Sequence, residues 1–144
     1  MSTPTFTADE LWRQAQGNAM AVLLVTAAYF KQTGGSLADW SRFAGEQLAP
    51  TWKEASDYDA MQVGRIWALN FVSTGATLES LEGNAQRADV VVSNWPAADD
   101  LNSLGLTRED LDAFLDIGDT LVQGAGAHLT WNRTGDRITF VVTR

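Results

Sequence analysis

Apolar positions recur with a helical period over the first half of the chain and alternate in strand fashion over much of the second. Four segments open with Ser or Thr followed three residues later by Asp or Glu: Thr7 with Glu10, Ser36 with Asp39, Ser56 with Asp59, and Thr107 with Asp110. At that spacing the hydroxyl and carboxylate satisfy free N–H groups of a first helical turn, so each pair predicts a helix start. The first helix runs from about Ala8 to Gln32 and stops at Gly34-Gly35. From Ala19 to Phe30 it is apolar nearly all round, which marks it as the central element or as an oligomer interface. The second, about Leu37 to Leu48, places Leu37, Trp40, Phe43, Ala44 and Leu48 on one stripe, and Pro50 ends it. The third, about Asp57 to Ser73, offers Met61, Ile66, Leu69 and Val72 as its buried edge, with Val63, Trp67 and Phe71 beside it.

Thr77 to Glu82, a Gly83-Asn84 turn and Ala88 to Trp95 read as a hairpin. Pro96 breaks the second strand, and a short segment, Ala97 to Ser103, leads to a fourth helix from about Arg108 to Val122. The chain closes with a second hairpin: Ala127 to Asn132, a Thr134-Gly135-Asp136 turn, and Arg137 to Thr143. Leu129 and Trp131 share a face, as do Ile138, Phe140 and Val142. His128, Thr130 and Asn132 lie on the opposite face with Thr139, Val141 and Thr143. With no repeat or dividing linker, the pattern predicts one α+β domain over residues 1–144. Its helical N-terminal half should pack on an antiparallel four-stranded sheet made of two β-hairpins.

Composition narrows the function classes. A chain of 144 residues can bury a core without disulfides or metal, and zero cysteines exclude disulfides, iron–sulfur clusters and thiolate zinc. A net charge of −8 makes nucleic acid and anionic membrane poor partners. Ala19 to Phe30 is too short to span a bilayer, and Met1 to Glu10 lacks the features of a secretory signal, so the expected location is cytoplasmic. The six tryptophans stand out. An indole offers a large flat apolar face and one donor, which suits the wall of a pocket. Trp12 and Trp52, near element ends, fit a core or interface role. Trp40, Trp67, Trp95 and Trp131, with Tyr29 and Phe71, come from separate elements and fit a pocket between helices and sheet.

The catalytic alphabet is thin. No Gly-x-Gly-x-x-Gly, P-loop, Gly-x-Ser-x-Gly or His-Glu-x-x-His motif occurs. His128 is the single imidazole and the natural general base, or else part of a polar strand face. Glu79, read as a buried carboxylate, is the alternative base; it and Glu82 fall on opposite faces of a regular strand. Arg65 suits a bidentate clamp on a ligand carboxylate, or pairs with Asp59, Asp89 or Glu79, or snorkels to solvent. Asn70 is a second polar anchor or a structural amide. Asp112, Asp116 and Asp119 have metal-like spacing but read as a solvated acidic face. No metal or cofactor is expected.

The stretch from about Gly75 to Arg144 resembles the 4-vinyl-reductase or hydrocarbon-binding domain superfamily, which includes aminothiazoline-carboxylate hydrolase-like proteins. The residues that carry the likeness are the hairpin ending at Trp95-Pro96, the Leu104-Gly105 step and the Arg133 to Arg137 turn. The resemblance implies the α+β fold and a small hydrophobic ligand. Relatives place cysteines where this chain has Trp95, a residue near Phe114 or Leu115, and Ile138 or Phe140, so the departure argues against the zinc some of them hold. The leading expectation is a protein that binds a small apolar or aromatic molecule in a Trp-lined pocket. It would act on that molecule, if at all, by metal-free acid–base catalysis in a biosynthetic or catabolic pathway. The alternative is a non-catalytic homodimer with the first helix as interface, as the similar TRAPP-type transport subunits suggest.

Overall fold

The computed structural model describes residues 5–144. The first four residues of the stretch read above against a secretory signal lie outside that range. Helices α1 (Ala8–Thr33), α2 (Leu37–Leu48) and α3 (Ala60–Val72) come first, with a 3-10 segment at Ala49–Ala55 between the last two. Strands β1 (Thr77–Gly83) and β2 (Arg87–Ser93) form a hairpin. Helices α4 (Ala98–Ser103), α5 (Arg108–Leu115) and α6 (Ile117–Gln123) precede the hairpin of β3 (His128–Thr134) and β4 (Arg137–Thr143). The sheet is antiparallel throughout in the order β1-β2-β4-β3, so the two hairpins join through β2 and β4 and leave β1 and β3 as edges. This is the α+β architecture read from the sequence. Among the described residues, no helix is long and apolar enough to cross a membrane.

Register sorts the sheet into two faces. Val90 opposes Phe140, Val92 opposes Ile138, and Leu129 opposes Val142. All six are buried on the helical side. The other face carries His128, Thr130 and Asn132, all exposed, and Thr139, Val141 and Thr143, all half-buried. That alternation of apolar and polar positions is what a sheet covered on one side requires.

The helices agree with the sequence in place more than in rotation. Thr7 with Glu10 and Thr107 with Asp110 form complete capping boxes, and Ser36 caps α2. Ser56 does not cap α3; Asp59 does, in a reciprocal pair with Gln62, because the 3-10 turn consumes the residues before it. The single helix predicted over Arg108 to Val122 bends at Asp116 into α5 and α6. On α2, Phe43 and Leu48 are exposed, while the small Ser41 and Gly45 are buried where α6 approaches. On α3 the buried edge is Val63, Gly64, Trp67, Ala68 and Phe71, and Leu69 faces solvent.

Two glycines explain how closely these layers meet. A Cβ on Gly64 would lie 2.8 Å from that of Ala88, so its absence lets α3 settle onto β2. A Cβ on Gly118 would lie 2.9 Å from both the Trp67 ring and a Leu129 methyl. Helix α1 is not central: it buries only Met20, Leu24, Ala27 and Ala28, and Lys31 ties its end to Asp110 at 2.7 Å. Burial raises the Asp110 carboxyl, and the donors of Lys31 and Thr107 more than offset that, holding it below its ordinary range. Gly118→Ala should lower stability in urea unfolding by about 1–3 kcal/mol through overpacking. Gly17→Ala, with nothing within 4 Å of the new methyl, should leave stability unchanged or raise it by up to about 1 kcal/mol. Equal effects would contradict the packing described.

Candidate functional site

The aromatic residues converge, but on one another. Phe71 stands edge-on to Trp95 at 4.8 Å between ring centroids and lies 4.7 Å from Phe140. Trp67 meets Phe71 and Phe140, each at 5.6 Å, and Trp52 caps it at 6.0 Å. Such spacings are those of aromatic rings in direct contact. Trp67, Phe71, Trp95 and Phe140 are all buried, so the gap between helices and sheet is filled by its own rings. The Trp95 N–H donates to Thr74 Oγ1 at 2.9 Å, which settles its polar edge inside the protein.

The remaining sequence-based candidates lie elsewhere. Trp40 packs against Phe114 at 4.8 Å, on the far side of α2 and α5, with Phe30 at 6.5 Å. Tyr29 is exposed on α1, its ring edge-on to Phe30 at 5.9 Å between centroids. Arg65 and Asn70 sit on the solvent side of α3, away from the buried rings. The positions where the resembling superfamily carries cysteines (Trp95, Phe114, Leu115, Ile138 and Phe140) are buried apolar side chains of the core.

His128 and Glu79 occupy the two edge strands, with β2 and β4 between them. Three strand spacings make that separation about 14 Å. They also stand at opposite ends of the register, His128 opposite Thr143 and Glu79 beside Ser93, whose partner is Arg137. The expectation of Glu79 as a buried carboxylate is corrected. It is the extra residue of a bulge between Leu78 and Ser80, which turns it outward to accept from Ser93 Oγ, 3.7 Å from Arg137. The His128 side chain is 72% exposed, with Nδ1 3.7 Å from Asp119.

Asp112, Asp116 and Asp119 form no idle acidic face, and this is what the sequence reading missed. Asp112 Oδ1 accepts from Arg133 Nε at 3.0 Å and Nη2 at 2.8 Å. Asp116 Oδ1 accepts the Trp131 indole N–H at 2.9 Å, and Asp119 Oδ1 accepts the Leu129 amide at 2.9 Å. Spacings of four and three along α5 and α6 thus meet alternate residues of β3 run in reverse. The signal was present: carboxylates on one helical face, and an Arg and a Trp on the inward face of the last hairpin. Among the described residues, no three His, Cys, Asp or Glu side chains come together as a metal-binding group.

One open groove lies outside this packed interior. It runs between α3 and β1, has a volume of about 460 Å³, and is lined by Ile66, Leu69, Val72, Leu78 and Leu81 with Arg65. A scan against protein-family models gives no match to this chain, and no curated protein matches it either.

The acid ladder yields a test of its role. Arg133 has a side chain only 11% exposed, so Arg133→Met strands the Asp112 charge and should cost about 2 kcal/mol in urea unfolding. Adding Asp112→Leu should restore much of the loss, while His128→Ala should stay within about 0.5 kcal/mol. A double variant as weak as the single would show that the pair does more than neutralise itself.

Proposed function

We propose that the chain is a non-catalytic self-associating module whose α1 is the interface between two copies. The observation that carries this is a second apolar stripe on α1, pointing away from the body. Leu11, Ala15, Asn18, Val22, Val25 and Tyr29 follow one another at alternating steps of four and three, and all six are exposed. Val22, Val25 and Tyr29 are 70%, 56% and 62% exposed. The spacing is that of a seam between paired helices. The opposite side of the same helix already holds Met20, Leu24 and Ala28 in the core.

Helix dipoles favour an antiparallel pairing, in which the N-terminal end of one copy meets the C-terminal end of the other. Charges at those ends already pair within one copy, Asp9 with Arg13 at 3.0 Å and Lys31 with Asp110 at 2.7 Å. Leu11 of one copy then lies opposite Tyr29 of the other, and Ala15 opposite Val25. The same register sets Asn18 opposite Val22 of the other copy.

Magnitude decides how tight this is. A helix of 26 residues is about 39 Å long and about 10 Å wide, offering roughly 400 Å² per copy. A standard stable interface uses about 800 Å² per partner, so the association is a weak one. Sedimentation equilibrium should show a reversible dimer with a dissociation constant on the order of 100 μM. Val25→Glu, at an exposed position, should keep the urea midpoint of the parent and remain monomeric at the same concentrations. Unchanged self-association in that variant would remove α1 as the interface.

A further inference from the structure

A second exposed apolar surface has a different character. The groove between α3 and β1 is walled by Ile66, Leu69 and Val72 from the helix and by Leu78 and Leu81 from the strand. Leu69 is 62% exposed and Leu78 42%, so both reach into it without a partner of their own. Arg65 is the single charged residue in its lining.

Arg65 is unusual for this protein. Acidic residues outnumber basic ones by 18 to 10. Seven of the lysines and arginines pair with a carboxylate, and Arg144 donates to backbone carbonyls. Arg65 and Lys53 are the two left with neither an ion pair nor a side-chain hydrogen bond among the described residues, and of these Arg65 alone lines the groove. An unpaired guanidinium beside an apolar trough is complementary to one ligand class: an aliphatic tail that ends in a carboxylate. Length agrees with this, since the seven helical steps from Arg65 to Val72 span about 10 Å, the reach of a medium-length chain.

We infer that the α3–β1 groove binds a medium-chain carboxylate, its tail lying over Leu69 and Leu78 and its head group held by Arg65. This goes beyond self-association and uses none of the residues of the α1 stripe. The volume of about 460 Å³ lies within the usual range of small-molecule sites. The groove covers only one side of a chain, which sets the affinity on the order of 0.1–1 mM rather than micromolar.

Calorimetric titration with decanoate below its micellar concentration, beside decanol and decylamine, reads both halves of the site. The parent protein and the Val25→Glu variant should bind decanoate alike, which separates this site from the α1 interface. Arg65→Glu should weaken decanoate at least tenfold and leave decanol within twofold. Leu69→Asp, at a solvent-facing position, should abolish both, with its urea midpoint confirming that the fold is intact. Decanoate binding unaltered by either variant, or no binding at millimolar ligand, would overturn the assignment. So would a loss of self-association in Leu69→Asp without any decanoate binding, which would give the groove to a second copy of the chain.

Discussion

The rotation of α3 about its own axis is the constraint from which most of this molecule follows. Trp67 and Phe71 stand one turn apart on that helix, and both must lie against Phe140 on the central strand β4. With those two rings inward, Val63, Gly64 and Ala68 share their side. Each helical step turns about 100°, so Arg65 and Leu69 are carried out of the core. The groove beside β1 is therefore the reverse side of the aromatic packing. A rotation that buried Leu69 would pull Trp67 away from Phe140, and the large rings bury far more apolar area than one leucine.

A second ordering device lies at the opposite edge. Strand β3 is an edge, and its amides on that side need partners or cover. Asp119 supplies one by accepting from Leu129, while Asp116 and Asp112 hold Trp131 and Arg133. The same contacts fix α5 and α6 lengthwise along the strand. Three of the 18 acidic residues are thus engaged in docking a helix pair to a strand.

Much of the fold was legible because it rests on local chemistry. Capping residues and Gly34, in the left-handed region at φ 71°, place the ends of α1, and period-two alternation sorts the sheet faces. Rotation was not legible. On α3 two apolar edges compete, and only the ring of Phe140, some seventy residues on, decides between them. The candidate site suffered for the same reason. Of the four indoles expected to meet, Trp67 and Trp95 do so through Phe71, while Trp40 and Trp131 pack elsewhere; whether convergent rings enclose space or fill it depends on packing that no single segment encodes. Glu79 was misjudged because a bulge adds one residue and reverses the side on which it falls. Arg65, read as a carboxylate clamp, a partner of an acidic side chain or a snorkelling residue, stands beside Ile66, Leu69, Val72, Leu78 and Leu81 and away from the buried tryptophans.

Helix α1 poses the remaining question of economy in the sequence. Its own core contact occupies the middle of the helix, from Met20 to Ala28, on one side only. Its residues from Ala8 to Ala15 are all exposed, including Leu11 and Trp12, and the hydrogen bond from Gln16 to the Val72 carbonyl joins that part to the body. Helices this exposed are marginal in water unless an apolar face is covered. Polar residues at Val22, Val25 and Tyr29 would serve an isolated surface helix equally well. The apolar ones gain something only when a second surface removes them from solvent. Because the stripe repeats at seam spacing, another copy of the same helix, reversed, is the surface we propose for it.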